Sequence, residues 1–593
     1  MHHLKHNQNH PFLTPPVAHD AVPARKISVA LPLIVAIPTF FLLHMYLYSP
    51  YVLSMTTTAN ISISHYRLSN LSITIPVRAG NTFNSLLREG DAVPLRMSPE
   101  DVIRTRSLLL PAWEILVVVE EDVVVDGGDF YCVFLNNASS MARPSMAPLS
   151  SGQRSFKCGM PLSVRRQQPF HQPALMRSLE RGFPGLAEHV PELLRWNYLA
   201  YEAVSTESDV VVFMKGVNNR QGTSRSTSDL NCVFGDDPST SIRTAVTSSV
   251  QEVFRCRHPD EAEIANLLDE SGRLKVSIEI KRDKKTVPSM AYYSPWNKHS
   301  TEEGNGNSKT MRVHLCACTM VYNAAKFLKE WVTYNSNIGV DRFILYDNDS
   351  DDNLSAAIEE LHASGYDVRV VPWVWQKTQE AGFSHAAVVY QDTCSWMMYM
   401  DVDEFVYSPA WDESPEPSPR MLKSLIPKNS PGGPKYGQVS IKCYEFGPSD
   451  HHSHPPEGVT QGYTCRMKAD QRHKSIVMLN AVDPSLVNVV HHFELREGYR
   501  SKQAGLEKAV VNHYKYQAWP EFKTKFRRRV SAYVVDWTQG INLGSKDRAP
   551  GLGNEAVEPV GWAQKFCEVR DLGLKEMTAR WSGRRSTAAI RLI

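Results

Sequence analysis

Hydrophobic and polar positions change their period near Arg312. Beyond it, apolar strand-like runs alternate with runs of helical period: strand VHLCACTM (313–320), helix AAKFLKEWVTYNS (324–336), strand DRFILY (341–346), helix LSAAIEELHA (354–363), strand DVRVVPW (367–373), helix FSHAAVVYQDTCS (383–395) and strand WMMYM (396–400). Ala324, Phe327, Leu328, Trp331 and Asn335 fall at i, i+3, i+4, i+7 and i+11, so one largely apolar helix face is available. Strict βα alternation with such short connections predicts a parallel sheet with right-handed crossovers. Upstream, WEILVVVEEDVVV (113–125), FYCVFL (130–135), DVVVFMKG (209–216) and LKVSIEI (274–280) are β-branched and bounded by Gly, Asn, Asp and Ser, and they predict a sandwich-like β-rich domain. The polar stretch NKHSTEEGNGNSK (297–309) separates the two patterns. The division this gives is a β-rich domain over 96–300 and an α/β domain over 305–593.

The first hundred residues read differently. Residues 27–47, ISVALPLIVAIPTFFLLHMYL, carry no formal charge and as a helix would rise about 31 Å, the thickness of a hydrocarbon core. Arg25 and Lys26 precede the run, and no charged residue follows until Arg67, which predicts a cytosolic tail (1–26), a transmembrane signal anchor (27–47) and a luminal remainder. Residues 48–95, rich in Ser, Thr and Asn, suit an extended stem. All ten cysteines lie at or after Cys132, and the sequons at Asn60, Asn70 and Asn137 sit early in the luminal part. A type II glycoprotein of the Golgi membrane is the expectation. The motif Asp129-Phe-Tyr-Cys132 with Cys158 is echoed by Asp229-Leu-Asn-Cys232 with Cys256, which suggests a duplicated module bridged Cys132–Cys158 and Cys232–Cys256; other pairings remain open.

The balance of 65 Lys and Arg against 63 Asp and Glu leaves a net charge of +2, so no global field attracts nucleic acid, and none is expected as a partner. Candidate chemistry is local. In open α/β sheets ligands bind beyond the carboxyl ends of the strands. Three polar loops occupy those ends: Tyr322-Asn323, Asp347-Asn-Asp-Ser-Asp-Asp352 and Asp401-Val-Asp-Glu-Phe405. In extended backbone Asp401 and Asp403 share a face while Val402 packs away, and paired carboxylates suit Mn²⁺ or Mg²⁺ beside a diphosphate.

These residues, with HKSIV (473–477), HHF (491–493) and VNHYKYQAWPEFKTKF (511–526), resemble glycosyltransferase family 92, plant members of which include galactan synthases. The resemblance covers about 305–530. It implies a GT-A fold, a UDP-sugar donor and inverting transfer, with galactose onto a cell-wall galactan as the family-based expectation for a polysaccharide or oligosaccharide acceptor. Carried over by position, Asp347, Asn323 and Asn348 would lie near the nucleoside. Asp401 and Asp403 would hold metal and diphosphate, His513 would complete the metal's ligands with His492 as rival, and Lys474 would meet diphosphate charge. Asn323 could equally be a helix cap. Inversion needs a base on the acceptor hydroxyl, for which Glu404 and Asp450 are the candidates. Asn348 also heads a sequon, and a glycan there should block the site, so it is expected to be unmodified. The alternative is a glycan-binding scaffold with the same fold and no turnover; a homodimer is left open.

Overall fold

Upstream of residue 300 the β-branched segments close into two successive modules with one strand order. The first takes strands Thr105–Leu109, Glu114–Val119, Phe130–Val133, Ser139–Pro144, Ser155–Gly159 and Ala174–Met176; the second takes Leu199–Ser205, Val210–Lys215, Leu230–Phe234, Ile242–Val250, Val253–Cys256 and Leu274–Ile280. In both, the six lie side by side as sixth, third, fourth, fifth, second, first, and every one of these pairings is antiparallel. Cys132–Cys158 and Cys232–Cys256 each join the third strand to the fifth across the fourth, so the echo in sequence is a duplication in structure. The edges also meet. Ile103 bridges Leu175 in the first module, and in the second Ala200 donates to the Pro288 carbonyl and accepts from the Met290 amide. The single sandwich expected for 96–300 is therefore corrected to two curled modules. Each wraps its alternating apolar residues round a core of its own, one including Ile115, Val117, Phe130 and Phe156, the other Val212, Phe234, Phe254 and Ile278.

The computed structural model describes residues 103–585 apart from 121–127, 178, 180–182, 184–189, 219–223, 238, 297–311, 490 and 526–557. The proposed tail, anchor and stem (1–95), with Asn60 and Asn70, and the 297–309 stretch lie outside the described residues. Among the described residues no helix is long and apolar enough to cross a membrane.

After residue 312 the expected alternation is present: β1 Val313–Val321, α1 Ala325–Ile338, β2 Arg342–Asp347, α2 Leu354–Ala363, β3 Val368–Pro372, α3 Gln379–Val389 and β4 Cys394–Tyr399. Then follow β5 Glu404–Tyr407, β6 Lys435–Glu445, β7 Gln471–Met478, β8 Tyr499–Gln503 and β9 Val510–His513. The sheet runs β3-β2-β1-β4-β7-β6-β9-β5, with β8 beside β6. β1 to β4 are parallel and β7 is antiparallel to β4, so the result is a mixed α/β sheet. The register sets Val321 beside Asp347 and Asp347 beside Pro372, which brings the loops after β1, β2 and β3 to one edge. Helix α3 begins four residues earlier than its apolar run suggests. Gly382 obscured that start; a Cβ there would meet Met320 Cε at 2.8 Å and Trp373 Nε1 at 3.4 Å, so glycine allows the helix to lie close against the sheet.

Helix α3 also carries a buried histidine. His385 shares a 2.7 Å hydrogen bond with the Tyr346 hydroxyl between Trp373 and Phe213, and burial pushes its pKa down to about 3. The folded state keeps this ring neutral where the unfolded chain protonates it, so stability is complete above the ordinary histidine value and declines as pH falls toward 3. Between pH 6.5 and 5 the expected loss is about 2 kcal/mol. Urea titrations at several pH values check it: the slope should flatten in His385→Phe, and an unchanged slope excludes His385 as its source.

Candidate active site

Strand β4 ends at Tyr399 and the chain turns, with the Glu404 amide donating to the Asp401 carbonyl at 3.1 Å. Asp401-Val402-Asp403 is thus a turn rather than the extended segment expected, because Glu404 already starts β5, which pairs with β9 instead of β4. The turn gives its three carboxylates different partners. Asp401 accepts from Gln379 Nε2 at 2.9 Å and Lys474 Nζ at 3.0 Å. Glu404 accepts from the Asp401 amide at 3.0 Å and lies 2.9 Å from Lys474 Nζ. Asp403 Oδ2 is paired with Lys525 and stands 3.5 Å from His513 Nε2.

Register explains this meeting. Lys474 lies on β7 one position from Ser475, the partner of Tyr399, so it reaches the Asp401 turn; His513 ends β9 directly opposite Glu404. Lys525 is carried by a helical turn over 519–525 that Trp519 and Phe522 anchor against Trp562. Burial raises the pKa of Glu404, Lys474 opposes that shift, and Asp401 adds to it. For Asp403 burial acts in the same sense, but Lys525 and His513 outweigh it and hold the carboxyl well below its usual range. Burial would lower the Lys474 pKa, yet Asp401 and Glu404 raise it above the ordinary lysine value. Among the described residues, Lys474 faces Asp401 and Glu404 while Lys525 faces Asp403.

Asp403, Glu404 and His513, all buried, offer ligand atoms within 4.8 Å of one another, and this group could hold a metal ion. Among the described residues His513 Nε2 is buried with only the Asp403 carboxylate, 3.5 Å away, before it, as suits a ligand nitrogen. The donor set of carboxylate oxygens and one imidazole fits a divalent cation. Glu404 takes the place expected for Asp401 in this group, and its side chain, also a candidate base, is completely buried beside Lys474.

The two adjacent histidines separate. His491, at φ 67, turns Nε2 onto Lys474 Nζ at 2.6 Å and lies 3.8 Å from Asp401 Oδ2. His492 instead meets His473 at 3.2 Å and Gln438 at 2.9 Å and is not part of the Asp403, Glu404 and His513 group found among the described residues; burial and His473 lower its pKa. Asp450 is exposed beyond the end of β6, where its carboxylate accepts from Gln564 Nε2 at 3.1 Å.

At the edge expected to take the nucleoside the loops are tied to one another. Asp347 accepts from the Ser350 amide at 3.0 Å, and burial, reinforced by Asp349 and Asp352, raises its pKa. The Asn323 side-chain amide donates through Nδ2 to the Asp351 carboxylate and accepts through Oδ1 from the Asp351 backbone amide, and the α1 amide of Ala325 is capped by Asp352 at 2.9 Å rather than by Asn323. Asn348 Nδ2 donates to the carbonyls of Trp373 at 2.7 Å and Trp375 at 3.1 Å, which leaves no room for a glycan on that nitrogen. Asn323 and Asn348 thus brace the edge through their side chains.

Sequence reasoning missed Gln379, His491, Asp349 and the role of Lys525. His491 was one half of an ambiguous pair, and Lys525 was hidden in a run of basic residues that reads as a solvated face.

Residues 311–539 match the model of glycosyltransferase family 92. A family 92 protein of Oryza sativa subsp. japonica is 37% identical over 80% of this chain and 80% of its own length. The chain belongs to glycosyltransferase family 92. Relatives from Ricinus communis (41% identical, 66% of this chain and 68% of the relative) and Arabidopsis thaliana (42%, 64% and 66%) carry the same family description. Among solved structures, a mannosyltransferase from Pyrobaculum calidifontis with GDP-Man and Mn²⁺ aligns over 48% of this chain and 77% of its own at 14% identity and TM-score 0.24. Glucosyl-3-phosphoglycerate synthase from Mycobacterium tuberculosis with Mn²⁺ and UDP aligns over 37% and 77% at 12% identity and TM-score 0.19. Both likenesses are too slight to bear on donor or metal. As a family 92 member the protein is a glycosyltransferase, which sets aside the scaffold without turnover.

Proposed function

We propose that this family 92 transferase is a metal-dependent, inverting enzyme with a GT-A catalytic domain. It moves a sugar, galactose as the leading expectation, from a UDP-sugar to a polysaccharide or oligosaccharide of the cell wall. The observation that carries the reading is the convergence of Asp401, Asp403, Glu404, Lys474 and His513 at the carboxyl edge of the parallel strands, the edge at which β2 also ends in Asp347. Asp403 and His513, with Glu404 alongside, would hold Mn²⁺ or Mg²⁺. A bound cation there supplies Lewis-acid stabilisation of the departing diphosphate.

The chain's own residues do the rest. Lys474 lies between Asp401 and Glu404, holds both side chains in place and opposes the rise that burial imposes on the Glu404 carboxyl. Lys525 neutralises Asp403 from a flexible stem and is the counter-ion that a divalent cation would replace. Asp347 lies where the nucleoside of the donor is expected. Asp450, the exposed carboxylate at the rim, is the other candidate to take the acceptor hydroxyl's proton. The two β-modules would bind the acceptor chain, and the setting would be the Golgi lumen behind a single-pass type II anchor.

The test is thermal stabilisation by a panel of nucleoside diphosphates, each with and without manganese. A rise of several degrees for UDP that requires manganese is expected, since a ligand present at a hundred times its Kd adds about 2.7 kcal/mol to the native state. No shift with any nucleotide, for folded protein, overturns the donor reading.

A further inference from the structure

The loop that presents Asp347 is not closed by the α/β sheet alone. Asp349 stands at its centre with φ 65, and its side chain is completely buried. Both cations on that carboxylate come from the first β-module: Lys157 Nζ at 2.6 Å and Arg143 Nη2 at 2.7 Å from Oδ2. Arg143 also donates to the carbonyls of Asp349 at 3.4 Å and Ser350 at 3.5 Å. Lys157 is itself only 8% exposed, and its neighbours Phe156 and Cys158 are in the module's core, so strand alternation and the Cys132–Cys158 bridge fix its direction.

Arg143 and Lys157 are direct cross-strand partners. Like charges in that relation repel and are tolerated when an anion lies between them. The duplicated module offers an internal comparison. Arg255 precedes Cys256 as Lys157 precedes Cys158; it pairs at 2.7 Å with Asp209 of its own module and donates to the Pro484 carbonyl, away from the 347–352 loop. The same position thus carries a cation in both copies, and in the first copy that cation is directed at the transferase loop.

We propose that Arg143 and Lys157 are positioning residues for the donor site, clamping Asp349 so that the 347–352 loop holds Asp347 and Asn348 in place for the nucleotide. The proposal rests on the donor site inferred above. The left-handed backbone at Asp349 lets the Ser350 amide reach Asp347, puts Ser350 Oγ 2.9 Å from the Asn323 amide and leaves the Asn348 amide on the Val321 carbonyl at 2.8 Å. Release of the clamp would loosen all three ties together.

The experiment compares wild type, Lys157→Met, Lys157→Arg and the neutral pair Lys157→Met/Asp349→Asn, the last guarding against simple misfolding from an unpaired buried charge. Hydrogen exchange at the Asn348 and Ser350 amides and calorimetric titration with UDP and manganese are read on each. In Lys157→Met the exchange of these amides should rise about tenfold and the UDP Kd should rise about tenfold, with Lys157→Arg restoring both and the neutral pair folding normally yet binding UDP weakly. Unchanged exchange in both Lys157→Met and the neutral pair overturns the clamp whatever the nucleotide does. Raised exchange with an unchanged UDP Kd overturns its role at the donor site, whereas wild-type protein that binds no nucleoside diphosphate overturns the donor reading itself.

Discussion

Replacing Asp403 by asparagine should lower metal-dependent sugar transfer by at least about a thousandfold, equivalent to ~4 kcal/mol of lost stabilisation at the departing diphosphate. The substitution is isosteric, and it removes the one carboxylate in the group that faces both His513 and Lys525. The fold should survive. Lys525 is more than a quarter exposed and can turn its ammonium to water, so the expected stability cost is about 1–2 kcal/mol. Turnover as a function of manganese concentration, alongside a melting curve, separates the two effects. Wild-type turnover in a normally melting Asp403→Asn protein would sink the metal assignment.

Lys474→Met should act on stability first. Its ammonium serves two carboxylates, and the side chain of Glu404 is completely buried. Removing one side of such a pair leaves an uncompensated charge, which costs about 3–5 kcal/mol, whereas neutral groups on both sides cost far less. The double variant Lys474→Met/Glu404→Gln should therefore recover most of the loss in denaturant titrations. If it melts no higher than Lys474→Met, the two side chains are not coupled as the geometry requires.

Much of the architecture was legible because the relevant signals are periodic. The β1 to β4 alternation follows from the change in hydrophobic period, and the duplication in the β-modules from the repeated Cys132/Cys158 and Cys232/Cys256 spacing. What sequence could not give was how far each sheet curls, since closure at Ile103–Leu175 depends on twist and contacts far apart in the chain. At the site, the group itself was readable from Asp401, Asp403, Lys474 and His513, but their directions were not. The extended geometry assumed for Asp401 to Asp403 gave way to a turn, which moved Glu404 under the group. His491, which sequence reasoning missed, is turned onto Lys474 by its own left-handed backbone. Arg143 and Lys157 were invisible for another reason: they lie about two hundred positions from Asp349, and no local pattern announces a partner in another module.

The Cys316–Cys394 disulfide joins β1 to β4, neighbours in the sheet but 78 positions apart in sequence. It closes the intervening chain, with the loops after β1, β2 and β3, into a covalent ring. A protease that cuts once within that ring leaves no free fragment, because both ends of the cut remain tethered through sulfur and strand. Tension applied along the chain likewise passes through the bridge from β1 to β4 and bypasses the enclosed loops. The loops proposed to face the donor are thus shielded from mechanical load.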